Sequence, residues 1–315
     1  MPMTPDDTKF RIGFLLVLLF WIAWVLGQVF RDANGLTSLF FYIPSGFLFV
    51  FLTGWGGYAW YRSRRRMAGL LALLALPPLL WVLCVENRLS ASPLERPEGR
   101  SLRLIHWNVW GGRTGWKGIE TLLKESEPDL CVLSEIPDDL DVPETAPSFG
   151  PDYQAVRISN MAVWARGVLA DPERFRCKRG VKAWGVVWQS PQGNCRVLVV
   201  DLASSLFSPR EPRLQVVREL MVDWKADLVV GDFNAPRRSR VLSSLPTGFT
   251  HAYEAAGSGC SYTWPIPCPL YAIDQCMLGP HVFPKTYTLE SSWRSDHRRQ
   301  VLEFSIEPES VEGAG

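Results

Sequence analysis

The sequence predicts two unlike parts: a helical membrane anchor of three spans over residues 1–85, and an α+β domain over residues 101–315 in which two layered sheets carry helices on the outside. Three observations predict this. Charge-free apolar stretches fill the first 85 residues; short apolar runs alternate with a few amphipathic segments after residue 100; and polar residues recur where those apolar runs end. Whole-chain averages hide the division. With 47% hydrophobic residues, 21% charged residues and a net charge of +1, the chain is too apolar to be disordered, and it has no basic excess of the kind that marks tight nucleic-acid binding.

The anchor rests on length. Ile12–Phe30, Ala33–Tyr61 and Met67–Val85 contain no Asp, Glu, Lys or Arg, and a helix of about 20 apolar residues crosses the hydrocarbon core. Pro44, Pro77 and Pro78 would bend the later helices without preventing a span. Trp21, Trp24, Trp55, Trp60 and Trp81 suit an interfacial aromatic belt. A cleaved signal peptide followed by buried core helices is the competing reading. The first run carries no A-x-A cleavage pattern, and two further apolar runs follow it.

Orientation follows from the short loops. Arg62, Arg64, Arg65 and Arg66 separate the second and third runs, and Lys9 and Arg11 precede the first. The intervening loop carries only Arg31, offset by Asp32. Basic loops stay in the cytoplasm, so an odd number of spans leaves everything after Val85 outside. The expected location is the cell inner membrane, multi-pass, with the second domain periplasmic or extracellular and the lipid bilayer as a partner. Residues 86–100 (ENRLSASPLERPEGR) are polar and proline-containing, and read as a linker. The first 85 residues hold seven Lys/Arg and three Asp/Glu, leaving 26 basic against 29 acidic residues, a net of −3 for the remainder. Of seven cysteines, Cys260 and Cys268 flank an irregular segment and are the best candidates for a disulfide, while Cys131 and Cys276 read as buried thiols in apolar strands.

Within the second domain, strands are expected over 102–109, 130–133, 154–158, 161–165, 183–189, 195–202, 227–230, 272–278, 287–289 and 301–306. Helices are expected over 116–124 and 213–224; in the latter Leu214, Val217, Leu220, Met221 and Trp224 share one side. Asn108, Glu135, Asp232, Asn234, Asp274 and Asp296–His297 then sit at or just beyond strand ends, where a rigid scaffold presents functional groups. Asp232 and Asn234 are two apart and project the same way on an extended segment. Several carboxylates converging with one His and two Asn make an oxygen-rich pocket that suits a hard divalent ion. Each element alone has an ordinary explanation: a solvated strand-end Glu, an Asp-x-Asn turn or cap, an Asp-His pair in a loop.

Their order together, with G-D-F-N and S-D-H behind an Asn strand and a Glu strand, resembles the endonuclease/exonuclease/phosphatase superfamily with its DNase-I-like fold, over about Leu102–Ser305. The resemblance implies a four-layer α/β/β/α sandwich and a phosphoester hydrolase using Mg²⁺ or Mn²⁺. It implies that Asn108 helps position metal and phosphate, that Glu135 is the principal metal ligand, and that Asp296 is the metal-side acid of the last motif. It further implies that Asp232 orients or deprotonates the attacking water, that Asn234 hydrogen-bonds the phosphate, and that Asp274 orients the catalytic His297. Of the four histidines, His106, His251 and His281 match no motif and read as structural. Many relatives carry a His in the middle strand leading into the pocket. Here LVVDLASS places Asp201 there, and Asp201 is retained as a site residue; a second anion beside a phosphate is unfavourable unless it binds metal or pairs with a cation.

The substrate class stays open at this level. Arg237, Arg238 and Arg240 beside GDFN would serve a nuclease, or form a solvated charged turn. The net −3 argues against strong nonspecific DNA binding, and a membrane tether suits a phospholipid or lipid-linked phosphate. Trp110, Trp116 and Trp293 would contact such a substrate or pack in the core. A degenerate domain kept for binding or membrane organisation is the non-enzymatic alternative, with Asp201 its only support. Protein partners are not identified.

Overall fold

A computed structural model describes residues 5–90, 101–177, 180–205 and 209–307, so most of the expected linker (91–100) lies outside the described residues. The chain divides into a helical unit ending at Asn87 and a β-rich unit beginning at Arg88.

In the helical unit, α1 (Pro5–Phe30) and α4 (Arg65–Trp81, continued by a π-turn over Val82–Glu86) are each long and apolar enough to cross a membrane. The middle stretch is not one helix. It forms α2 (Gly35–Phe41) and α3 (Ser45–Tyr61), bent by 65°. The break has local causes. Asn34 caps α2 through a reciprocal box with Thr37, and Pro44, at the N-cap of α3, disfavours helical geometry in Ile43 before it. Val17, Trp24, Leu48, Leu52 and Leu71 are buried between the helices. Leu15, Leu16, Leu19, Val50 and Leu73 point outward and are exposed. The Trp24 indole donates to Ser45 Oγ (3.1 Å), whose hydroxyl donates to Glu86 Oε1 (2.7 Å).

The β-rich unit has twelve strands: β1 (Leu102–Asn108), β2 (Leu130–Ser134), β3 (Tyr153–Ile158), β4 (Met161–Arg166), β5 (Val168–Arg174), β6 (Val181–Ser190), β7 (Gly193–Leu202), β8 (Leu228–Asp232), β9 (Thr250–His251), β10 (Asp274–Leu278), β11 (Val282–Glu290) and β12 (Arg299–Ile306). Among the described residues they form two six-stranded mixed sheets, ordered β11-β12-β1-β2-β4-β3 and β5-β6-β7-β8-β10-β9. Alternating residues of both sheets, among them Leu104, Val132, Val163, Val186, Val199, Val230, Cys276 and Phe304, fill one core between them. The helix α5 (Trp116–Glu125) covers the outer face of the first sheet with Ile119 and Leu123, against Ile105, Trp107 and Cys131. The helix α7 (Glu211–Asp223) covers the second with Leu214, Val217 and Met221, against Leu198, Val200 and Val229. The four-layer sandwich follows from these contacts, each fully buried Leu or Val contributing about 1.5–3 kcal/mol.

Several expectations change. The edge strand β5 has no counterpart in the sequence reading, and β11 begins at Val282, five residues earlier than expected. Both lie at sheet edges, carry Pro172 and Pro284, and lack clean alternation. Cys260 and Cys268 are free, exposed thiols rather than a disulfide, whereas Cys131 and Cys276 are buried as expected. Arg88 belongs to the β-rich unit instead of a linker, since its N–H donates to Tyr253 Oη at 2.8 Å. Trp116 stacks on Trp164 in the outer core (6.1 Å between rings), which explains it as packing.

Two buried histidines support this unit. Gln300 Nε2 approaches His106 Nδ1 at 3.0 Å and His106 Nε2 lies 3.2 Å from Ser134 Oγ, so His106 accepts at Nδ1 and donates at Nε2. His251 Nε2 donates to the Leu242 carbonyl at 2.8 Å. Burial pushes both imidazoles down to about pH 4. The unfolded chain binds these protons near pH 6.5 while the native chain resists until about pH 4. Their support is therefore complete above pH 6.5 and is lost as pH falls through that window, by on the order of 3 kcal/mol per histidine. Urea denaturation of the detergent-solubilised chain at pH 7 and pH 4.5 is expected to show the drop, and a His251→Gln variant to show a shallower pH slope.

Candidate active site

The site is an extension of the core. Side chains two apart on a strand share a face, so each inward-facing apolar column ends in a polar residue at one edge of the sandwich. Leu102 and Leu104 lead to His106 and Asn108; Leu130 and Val132 to Ser134; Val197 and Val199 to Asp201; Leu228 and Val230 to Asp232. On antiparallel strands the polar residue comes first: Asp274 precedes Cys276 and Leu278, and Lys182 precedes Val186 and Trp188. The carboxyl ends of the parallel strands β1, β2, β7 and β8 thus meet at a single end.

Asn108 joins the two sheets there. Its Nδ2 donates both to Asp232 Oδ2 (2.9 Å) and to Glu135 Oε1 (3.0 Å), while its Oδ1 accepts from the Trp110 N–H (3.0 Å). Glu135 follows β2 with φ of 51°, a left-handed conformation rare for a non-glycine residue. It is held by the Gly111 N–H on its carbonyl (2.7 Å), and its neighbour Ile136 N–H bonds the Asn160 carbonyl (2.9 Å). In GDFN, Gly231 allows β7 and β8 to close, because a Cβ there would stand 1.8 Å from the Val200 oxygen. Asp232 Oδ1 accepts from the Asn234 N–H (2.8 Å), and Asn234, itself left-handed at φ 48°, donates Nδ2 to the Leu202 carbonyl (2.7 Å).

His297 Nδ1 bonds Asp274 Oδ2 at 2.8 Å, leaving Nε2 for other work. Its backbone is fixed by Ser295 Oγ, which accepts from the His297 N–H (3.0 Å) and donates to the Asn108 carbonyl (2.6 Å), and by the Trp107 indole on the His297 carbonyl (2.9 Å). Asp296 Oδ2 accepts from the Trp264 indole at 3.0 Å, and its buried Oδ1 has no hydrogen-bond partner among the described residues. Candidate ligand atoms of Asp232, Asp274 and His297 lie within 4.8 Å of one another. Glu135 and Asp296 share no bonding partner among the described residues.

Burial and the nearby Asp274 push Asp232 up to about 8, against the pull of His297 and the amides of Asn234 and Asn108. Burial alone would lower His297, but the charge and hydrogen bond of Asp274, with Asp232 and Asp296, raise it to about 9. Asp274 is correspondingly lowered: burial works against its charge, and the His297 charge and hydrogen bond outweigh it. At neutral pH the Asp274–His297 pair is therefore ionic, a protonated imidazole on a carboxylate, and Asp232 beside it carries its proton.

Asp201 meets the condition that its charge requires: Lys182 Nζ stands 3.0 Å from its Oδ2 and Asn160 Nδ2 donates to it at 2.9 Å. Lys182, Asn160, Trp264 and Thr263, whose Oγ1 accepts the Asp274 N–H at 3.2 Å, were beyond the sequence reading; only Ser295 carried a signal, as the first letter of S-D-H. Arg237 is buried, over the Tyr253 ring (4.3 Å to its centre) and beside Glu254 (3.3 Å), and Arg240 lies 3.5 Å from Glu211.

The family model described as the Endonuclease/Exonuclease/phosphatase family matches residues 105–297. No curated protein matches the chain. Among solved structures, a humanised D. rerio TDP2 is similar at TM-score 0.54 and 20% identity, over 65% of this chain and 99% of that one. A Bacteroides thetaiotaomicron endonuclease/exonuclease/phosphatase family protein aligns at TM-score 0.52 and 13% identity, over 69% and 99% of the two chains. A mannosyl-6-phosphatase of the same organism aligns at TM-score 0.52 and 13% identity, over 65% and 100%. The chain belongs to the endonuclease/exonuclease/phosphatase family and is a hydrolase acting on phosphoester bonds.

Proposed function

We propose that this hydrolase is anchored in the inner membrane by three spans and hydrolyses a small or lipid-borne phosphoester outside the cytoplasm, with a divalent ion. The observation that carries the chemistry is the convergence of Glu135, Asp232 and the Asp274–His297 pair around Asn108.

The residues present fit Mg²⁺ or Mn²⁺. The Asp296 Oδ1 is buried without a hydrogen-bond partner among the described residues, and Glu135 and Asp232 present hard carboxylate oxygens on either side of Asn108. Glu135 and Asp296 would hold the ion, and Asn108, whose side-chain Oδ1 accepts from the Trp110 N–H, would position the carboxylates beside it. When bound, it would neutralise phosphate charge and polarise a phosphoryl oxygen.

The chain's own groups supply the proton chemistry. Asp232 takes a proton from the attacking water in its carboxylate form, which the positive charge of a bound ion would restore at neutral pH. The new bond joins the water oxygen to phosphorus as the P–O bond to the leaving group breaks. Protonated His297, held at Nδ1 by Asp274, directs Nε2–H to a phosphoryl oxygen and stabilises its growing charge. Asn234 steadies Asp232 through its N–H, its own side chain being held at Nδ2 by the Leu202 carbonyl.

Charge and exposure favour a small or lipid-borne substrate. The domain is net −3, Arg237 is committed to Tyr253 and Glu254, and Trp293 near the S-D-H loop is 79% exposed. A D. rerio TDP2 structure holds a single-strand DNA product and another neighbour is a sugar phosphatase, so both classes belong in the test. For the anchor, α2 and α3 would form one broken span, and the outward leucines of α1 and α4 suit lipid.

His297→Ala and Glu135→Ala should each lower metal-dependent turnover by about 10²–10⁴-fold on whichever member of a panel of DNA, phospholipid and sugar phosphate the wild type hydrolyses. Unchanged turnover in both refutes the mechanism. An Asp274→Asn variant removes the largest of the effects that raise His297, so its protonated form is lost at lower pH; the alkaline limb of the kcat profile should move to lower pH. A reporter fused after residue 315 should be active only outside the cytoplasm, and cytoplasmic activity would overturn the three-span orientation.

A further inference from the structure

One rung of the second sheet runs unbroken across four strands. Lys182 on β6 pairs with Asp201 on β7, Asp201 with Asp232 on β8, and Asp232 with Asp274 on β10. Directly paired residues point to the same face of a sheet, here the face towards the other sheet. The order along the rung is therefore cation, anion, water-activating carboxylate, and the partner of His297.

The Lys182 ammonium is held firmly for a side chain that is 50% exposed. It donates to Asp201 Oδ2 and to Asn160 Oδ1, each at 3.0 Å, and Asn160 Nδ2 returns a bond to Asp201 at 2.9 Å. Asn160 comes from the other sheet, in the turn between β3 and β4, and its carbonyl holds Ile136, the residue after Glu135. The triangle of Lys182, Asp201 and Asn160 thus repeats, one strand over, the inter-sheet clasp that Asn108 makes with Asp232. Asp201 is nearly buried and its charge needs a cation; Lys182 supplies it from a side chain that stays half exposed. Among the described residues, two of the three Lys182 N–H groups are engaged, which leaves the third for a ligand. Neighbouring strands lie about 4.8 Å apart, which puts Lys182 two strands from Asp232, too far to share the reacting phosphorus's immediate shell but within reach of the next anionic group of a substrate.

We propose that Lys182, held in place by Asp201 and Asn160, binds a second anionic group of the substrate next to the scissile phosphate, so that the enzyme selects diphosphate-type or otherwise doubly charged phosphoesters. This rests on reading Asp232 and His297 as the reaction centre. Asp201 is then a positioning residue for Lys182, which answers why an acid stands where many relatives have a His.

The test compares methylphosphonate with methylenediphosphonate by titration of the full chain in detergent at fixed free Mg²⁺. The wild type should bind the diphosphonate at least about tenfold more tightly, the scale of one charge-assisted hydrogen bond. Lys182→Met should lose most of that preference while still binding methylphosphonate, and Lys182→Arg should restore it. Asp201→Asn should weaken it in part. Equal binding of the two ligands by the wild type, or an unchanged preference in Lys182→Met with a native circular dichroism spectrum, overturns the proposal and leaves the reaction centre standing. Failure of the wild type to bind either phosphonate overturns both readings.

Discussion

Everything in the β-rich unit depends on two sheets packed face to face with a side-chain period of two. Because every second residue of each strand must be buried against the opposite sheet, the same columns that hold Leu104, Val132, Val199 and Val230 deliver Asn108, Ser134, Asp201 and Asp232 to one end. A one-residue slip of β8 would turn Asp232 to the outer face and bring Gly231 into its place. The close approach at Gly231, where a Cβ would strike the Val200 oxygen, leaves no slack for such a slip.

Placing acids at the end of a core creates an electrostatic problem that the surrounding residues settle. Asp232 and Asp274 face each other in register, both buried, and burial raises Asp232. The protonated His297 offsets Asp274, the Asn108 amide spans Asp232 and Glu135, and Lys182 with Asn160 offsets Asp201. Each of these groups reaches from a different element, and two of them, Asn108 and Asn160, cross from one sheet to the other. The polar end of the sandwich is consequently as well connected as the apolar middle, and the backbone of His297 is locked by Ser295 and Trp107 for the same reason. A divalent ion fits this balance as the remaining positive charge.

What was legible in the sequence followed from strong local patterns. Apolar runs that end at Asn108, Glu135 and Asp232, and the one that Asp274 opens, stand out because a polar residue breaks into a buried sequence, and α5 and α7 show through their periodic apolar faces. The edge strand β5 did not show, since an edge with Pro172 and mostly exposed residues has no pattern to read. Lys182 was equally silent: it lies 19 residues before Asp201, across a hairpin, and only the register of β6 with β7 brings the two together. The suggested Cys260–Cys268 bridge failed because spacing along the chain carries no information about Cβ geometry.

By itself the sequence determined the apolar character of the first 85 residues, the mixed strands and helices that follow, and the family motifs with the acids and histidine that they contain. Those are matters of composition and short-range order, which hydrophobic periodicity encodes directly. Only the tertiary structure decided that the middle apolar stretch breaks at Pro44 into two helices, that Arg237 is packed away against Tyr253, and that Asp201 is matched by Lys182 and Asn160. These outcomes depend on which strands become neighbours and in what register, and distances between residues far apart in the chain exist only once the two sheets have closed on each other.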